Sequence, residues 1–185
     1  MNLKKALEIL GKEISRNSVF ISEVIETLNL RKDMKILDIG TGRGTMAIML
    51  ALKGYHVITG EPEGHDWADW RSSAKKVGVE DLITFKHLNA EQLPFPHSEF
   101  DAIFVYGSFH HIDNKIKAIK EFMRVLNQEG MIIIIEFTPE GVDQIRKSFP
   151  SHEDAVDPRD YTKSLALTLN IIEHGTINAY IYKKS

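Results

Sequence analysis

Apolar residues along this chain recur with two periods, and the change from one to the other organises it. At the amino end Leu3, Leu7, Leu10 and Ile14 share one helical face, and Ile21, Val24, Ile25 and Leu28 share another, which predicts two amphipathic helices. From Met34 the pattern becomes short β-branched runs separated by helical stretches. Residues 34–39 (MKILDI) read as a strand, a glycine-rich turn follows, and residues 45–53 (TMAIMLALK) read as a helix. The alternation repeats: 55–60 (YHVITG) before a helix over about residues 64–77, 82–87 (LITFKH) before a loop with two prolines, and 101–106 (DAIFVY) before a helix over 114–126. Strands that alternate with helices run parallel, because each crossover carries the chain back to the end from which the last strand set out. A fifth strand, 130–137 (GMIIIIEF), is apolar on both faces, as a strand covered by helices must be, and is expected to be the most buried.

After Phe137 the rhythm changes. A short helix over 142–149 leads into the polar loop 150–158 (PSHEDAVDP), and Asp157 as N-cap with Pro158 at the first helical position opens another helix. Residues 170–176 and 177–183 read as two strands joined by a tight turn and so antiparallel. The expectation is an α/β chain of seven strands in a doubly wound, Rossmann-like sheet, mostly parallel and closed by a C-terminal antiparallel hairpin. No linker or repeat interrupts it. A single domain over 1–185 follows, with residues 1–30 as edge helices or a partial cover, 34–137 as the core, and 138–185 as closing helices and hairpin. The Leu3 to Ile14 stripe has the spacing of a helix-pairing seam, so it either docks on its own core or pairs two copies, and both monomer and homodimer stay open.

Composition narrows the partners. With 43% hydrophobic and 26% charged residues, 185 residues bury a substantial core without staples. A net charge of −3, from 23 basic and 26 acidic residues, offers no excess of positive charge for a phosphate backbone, which disfavours nucleic acid as the main partner. The absence of cysteine removes disulfides, thiolate metal sites and a cysteine nucleophile. The amino end is broken by charge every few residues, unlike a signal peptide, and no stretch approaches the roughly 20 apolar residues that cross a bilayer. A cytoplasmic protein without a membrane partner is expected.

Residues 36–44 (ILDIGTGRG) place Gly40, Gly42 and Gly44 between the first strand and the helix after it, where a nucleotide-like ligand meets the carboxyl ends of the strands in a doubly wound sheet. Missing Cβ atoms let the backbone bend sharply and approach a ligand, and the helix start offers N–H groups to a carboxylate. The dinucleotide fingerprint G-x-G-x-x-G is not matched, because the third glycine comes one position early and Thr45 stands where it belongs. The P-loop pattern is absent as well.

Further along, Glu61 closes the second strand, Asn89-Ala90-Glu91-Gln92-Leu93-Pro94-Phe95 follows the third, and 100–112 (FDAIFVYGSFHHI) carries the fourth. With these signals in this order the chain resembles the class I S-adenosylmethionine-dependent methyltransferases, in particular the small-molecule branch that includes the ubiquinone/menaquinone biosynthesis methyltransferases. The likeness covers residues 34–137 and, more weakly, the terminal hairpin. It implies S-adenosylmethionine as cofactor, S-adenosylhomocysteine as product, no metal, and a small-molecule acceptor. By the same resemblance Asp38, Gly40, Thr41, Gly42 and Gly44 cradle the methionine part of the cofactor, Glu61 grips the ribose hydroxyls, and Pro62 lies against the adenine. A carboxylate is suited to a vicinal diol because it accepts two hydrogen bonds. Asn89, Ala90 and Glu91 fall at the adenine; Asn89 replaces the usual acidic residue and accepts from the amino group without charge assistance. Tyr106 either contacts the cofactor through its backbone and the acceptor through its ring, or is ordinary core. Residues 126–130 (LNQEG) stand where the family has a Leu-Lys-Pro-Gly-Gly turn, so a turn is expected there.

Methyl transfer from a sulfonium mainly requires that the acceptor be positioned and desolvated. Where the acceptor must lose a proton, His110 and His111 are the candidate bases; the plain alternative is that one caps the next helix or walls the pocket. Trp67 and Trp70 share a helical face with Ala74 and read as packing. His65, His87, His97 and His152 lack the spacing of a metal site and read as surface or loop residues. Arg43 either attracts the cofactor's carboxylate or is a surface charge, and the 150–158 loop is either a lid or a solvated connector. The expected function is methylation of a small molecule; the alternatives are a cofactor-binding regulatory module or subunit without transferase activity, and a protein or RNA methyltransferase.

Overall fold

The computed structural model describes residues 2–65 and 68–185 and divides into two units, Met1–Leu88 and Asn89–Ser185. Trp67 lies outside the described residues.

In the first unit the helix expected from Leu3 to Ile14 is two: α1 (Leu3–Leu10) and α2 (Lys12–Ser15). Gly11 divides them, because its φ of 75° carries the chain out of helical space. Ala6 and Ile14 are buried, whereas Leu3, Leu7 and Leu10 are half-buried. α1 packs on a later helix of the same unit, α5 (Trp70–Lys76). α3 (Ser18–Thr27) buries Phe20, Ile21, Val24 and Ile25 and packs on α4 (Thr45–Leu52), which is apolar on every side and buried from Thr45 to Ala51. β1 (Ile36–Ile39), β2 (Val57–Glu61) and β3 (Ile83–His87) are parallel in the order β3-β2-β1, with Ile36 opposite Val57 and Val57 opposite Ile83. α5 starts later than its periodicity predicts, since Asp69 is its N-cap and accepts from the Ser72 N–H at 3.1 Å. Trp70 and Ala74 are buried, as packing requires, and the Arg71 guanidinium lies over the rings of Trp70 and Phe85.

The second unit holds β4 (Phe100–Tyr106), α6 (Lys115–Val125), β5 (Leu126–Phe137), α7 (Pro139–Arg146), β6 (Leu167–Glu173) and β7 (Ile177–Lys184). Its strand order is β4-β5-β7-β6; β4 and β5 are parallel, and β7 is antiparallel to both of its neighbours. The described strands thus number seven, parallel before the terminal antiparallel pair within each unit's pairings. β5 lies between β4 and β7 and is buried from Met131 to Glu136. The turn expected over 126–130 is instead an irregular start to this strand: Leu126 already pairs with Phe100, and Met131 then pairs with Ala102. No proline interrupts the pairing. A Cβ on Gly130 would come within 2.7 Å of the Leu126 side chain and 2.9 Å of the Asp101 carbonyl, so only glycine fits that approach.

α7 begins three residues before its predicted start because Thr138 caps it, its hydroxyl accepting from the Gly141 N–H at 3.2 Å, with Pro139 at the first helical position. The helix predicted after Asp157 is a single 3₁₀ turn, Pro158–Tyr161, and Asp157 caps it by accepting from the Arg159 N–H at 2.9 Å. Among the described residues no helix is long and apolar enough to cross a membrane.

Candidate functional site

The turn between β1 and α4 is built on three left-handed glycines: φ is 85° at Gly40, 50° at Gly42 and 80° at Gly44. L-residues rarely adopt these angles, which is the local reason for a glycine at every second position. The turn is tied to the end of β2. The N–H groups of Gly40 and Thr41 donate to the Gly60 carbonyl at 3.0 and 3.2 Å, and the Gly44 N–H donates to the Thr41 carbonyl at 2.7 Å. Gly60 is itself fixed by space, since a Cβ there would lie 2.1 Å from the Lys86 carbonyl oxygen on β3.

Asp38, Thr41, Gly42 and Glu61 come together at this turn. The Gly42 N–H donates to Glu61 Oε1 at 2.6 Å. Behind it Asp38 is completely buried, its Oδ2 accepting from the Thr59 hydroxyl at 2.7 Å, and the hydroxyls of Thr59 and Thr41 are 2.9 Å apart. Burial pushes the Asp38 carboxyl up to about 7; the Thr59 hydrogen bond opposes that rise and the nearby Glu61 charge adds to it. Pro62 and Arg43 are exposed beside the turn.

These residues fit S-adenosylmethionine. Asp38 Oδ1 is buried with no hydrogen-bond partner, a strong demand for one. A Cβ added at Gly42 would meet nothing within 4 Å, so the turn borders open space. The Glu61 carboxylate stands at that same turn.

In the second unit the Asn89–Phe95 segment is held to α6. Asn89 Oδ1 accepts from the Glu91 N–H at 2.8 Å, and Glu91 Oε1 accepts from the N–H of Asn114, the N-cap of α6, also at 2.8 Å. Glu121 Oε2 accepts from the Leu93 N–H at 2.9 Å, and Arg124 donates to the carbonyls of Leu93 and Phe95 at 3.0 and 2.8 Å. Sequence reasoning missed Glu121 and Arg124, although opposite charges three apart on a helix were visible. Ala90 is half-buried; Tyr106, also half-buried, ends β4 opposite Ile135.

His110 and His111 occupy the 3₁₀ turn Phe109–His111 directly after β4, and their environments differ. His111 is exposed, with Nδ1 2.9 Å from Glu153 Oε1. His110 is buried, with Nδ1 3.0 Å from Glu136 Oε2, and that carboxylate also accepts from the backbone N–H groups of His110 and Phe137. Nε2 of His110 is buried without a hydrogen-bond partner. Glu136 was missed by sequence reasoning, and its signal was a lone charge at the end of an apolar run. His152, expected as a surface or loop residue, is half-buried with its ring 5.0 Å from that of His110. His65, His87 and His97 are exposed. The 150–158 connector is pinned where Arg146 donates to the His152 carbonyl and to Asp154. Among the described residues no cluster of three or more His, Asp or Glu side chains is arranged to hold a metal ion.

A strand-turn-helix glycine bend with a carboxylate at the end of the next strand is the arrangement of a doubly wound α/β protein. Residues 37–134 match the methyltransferase domain family, and the chain belongs to it. The ubiquinone/menaquinone biosynthesis C-methyltransferase UbiE of Shewanella woodyi is 32% identical over 143 residues, 73% of this chain and 55% of that protein. The chain therefore spans about half the length of the curated relatives it matches. Among solved structures, the YcgJ protein of Bacillus subtilis is 26% identical with a TM-score of 0.69, covering 85% of this chain and 71% of that one. A SAM-dependent methyltransferase from Aquifex aeolicus shares the fold at 18% identity and a TM-score of 0.68, covering 98% of this chain and 97% of that one. These likenesses agree with the expected Rossmann-like fold.

Proposed function

We propose that this chain uses S-adenosylmethionine to methylate a small molecule. The observation that carries the reading is the bond between the Gly42 N–H and the Glu61 carboxylate at a turn of three left-handed glycines, with the unpartnered Asp38 Oδ1 beneath it. When bound, the cofactor supplies a methyl group on a cationic sulfur, open to in-line displacement. Asp38 accepts a hydrogen bond from the cofactor's amino-acid end, and the glycine turn lets the backbone reach it. Glu61 accepts from the ribose hydroxyls; a carboxylate has about four acceptor positions, so the Gly42 bond does not exhaust it. Pro62, Asn89, Ala90, Glu91 and Tyr106 are proposed as further contacts, and His110 or His111 as the base where the acceptor must lose a proton.

A small-molecule acceptor is supported by the names of the relatives, which concern ubiquinone and menaquinone, and by a net charge of −3. Calorimetry with S-adenosylmethionine and S-adenosylhomocysteine tests the cofactor, and labelled-methyl transfer to small-metabolite pools tests the reaction. Uptake of both compounds with a labelled small product is the expected result. No uptake at millimolar concentration overturns the reading.

A further inference from the structure

The His110–Glu136 pair is the least explained feature of the second unit. Two ionisable side chains are almost completely buried, at 2% and 1% exposure, and such burial is costly unless the charge is compensated. Glu136 is compensated on both oxygens: Oε1 accepts from the Phe137 N–H at 2.9 Å, and Oε2 from the His110 N–H at 3.3 Å and the His110 ring at 3.0 Å. An ionised carboxylate only accepts, so the proton of the neutral ring sits on Nδ1. The lone pair is thereby directed to Nε2, which has no hydrogen-bond partner in its buried position. A histidine serving the fold alone gains by satisfying both nitrogens; this one is satisfied on one side only.

We infer that Glu136 is a positioning residue that fixes the tautomer of His110, so that Nε2 takes a proton from an acceptor bearing an aromatic hydroxyl. This rests on the methyltransferase reading above. The surroundings point to the acceptor class. The rings of His111 and His152 lie 4.0 and 5.0 Å from that of His110, and Phe137 stands edge-on to His152, an aromatic wall on which a flat ring can stack. In the step, the acceptor O–H bond breaks and an Nε2–H bond forms, leaving the electron pair on oxygen. That pair makes the new oxygen–methyl bond as the carbon–sulfur bond breaks, its pair remaining on sulfur to give the neutral thioether. The imidazolium formed keeps its Nδ1–H on Glu136, whose charge offsets the new positive charge.

Long-range ¹⁵N–¹H correlation spectra of the cofactor-free wild type, read on the neutral ring, test the tautomer without any variant. His110 is expected to show a protonated Nδ1 and a bare Nε2; a protonated Nε2 overturns the inference. The second arm is labelled-methyl transfer to a panel of simple phenols. Glu136→Gln is expected to lower kcat by about a hundredfold, with S-adenosylmethionine affinity by calorimetry unchanged and part of the rate recovered in Glu136→Asp. A pair that serves only the fold lowers thermal stability in both variants and leaves kcat untouched, which overturns the inference. Wild type that takes up the cofactor and methylates none of the phenols overturns the acceptor class alone, whereas no cofactor uptake overturns the underlying reading of function.

Discussion

The amide of Gly42 and the carboxylate of Glu61, separated in the chain by a helix and a strand, meet in a hydrogen bond of 2.6 Å. The bond holds the carboxylate at the glycine turn before any ligand arrives, so the proposed diol contact costs little reordering. Hydrogen bonds to a charged group contribute about 1.5–3 kcal/mol. Glu61→Ala is therefore expected to weaken S-adenosylmethionine binding roughly tenfold to a hundredfold, and Glu61→Gln by less. Calorimetry measures both, and unchanged affinity in Glu61→Ala removes Glu61 from the site.

Asp38 gives a pH signature. Its folded-state carboxyl is raised by burial to about 7, far above the range of an unfolded aspartate. The unfolded chain thus ionises first as pH rises, and the folded chain holds its proton until about 7. Stability from this group is full below the unfolded value and is lost as pH climbs through the folded one, at a slope of at most about 1.4 kcal/mol per pH unit. In urea melts between pH 4 and pH 7, the stability of wild type relative to Asp38→Asn is expected to fall with rising pH. A difference that stays constant across that window refutes the assignment.

Much of this arrangement was legible in the sequence, for physical reasons that particular residues make plain. Strand and helix periods located β1 to β5 because burial on one or both faces is written directly into side-chain order. Glycine spacing found the turn because φ near 50–85° excludes most other residues. What escaped notice depended on partners remote in sequence. Nothing near Glu136 says that its oxygens meet His110, and nothing in residues 93–95 says that Arg124 holds their carbonyls. The two adjacent histidines read alike, yet a 3₁₀ turn buries one and exposes the other. Helix ends were misplaced at Gly11, Asp69 and Thr138, where a cap or a positive φ overrode the apolar period.

Gly60 tests how closely β2 and β3 must approach. A methyl group there meets the Lys86 carbonyl and the Leu88 side chain at 2.1 and 2.6 Å, and the first of these is backbone that cannot swing aside. Gly60→Ala is expected to destabilise the chain by about 1–3 kcal/mol and to weaken cofactor binding, because the Gly60 carbonyl anchors the N–H groups of Gly40 and Thr41. Urea unfolding and calorimetry on one preparation read both effects. Wild-type stability in this variant contradicts so close an approach of the two strands.

Arg124 joins α6 to the segment before β4 through two backbone carbonyls and the Glu121 carboxylate. Its removal takes a charged donor from those carbonyls and from Glu121, which keeps the Leu93 N–H. Arg124→Ala is expected to cost about 1–3 kcal/mol, and Arg124→Lys to recover only a fraction, since a single ammonium cannot span the same fork of acceptors. Hydrogen exchange localises the change: faster exchange at the Leu93 N–H is the expected sign, and protection equal to wild type argues against this role.

The His152 ring lies 5.0 Å from that of His110, and the connector that carries it is held by two side chains. Arg146 donates to its carbonyl, Glu153 beside it binds His111, and Arg146 also reaches Asp154. Glu153 is held below the usual carboxylate range chiefly by its bond to His111. Diethyl pyrocarbonate acylates neutral imidazole at an accessible nitrogen, and on His110 the unprotonated nitrogen is the buried Nε2. His152→Ala removes the neighbouring ring and is expected to speed acylation of His110 several-fold, read peptide by peptide by mass spectrometry. Glu153→Ala loosens the latch while leaving the ring in place and is expected to give a smaller increase. If neither variant changes the His110 rate, the connector does not govern access to that nitrogen.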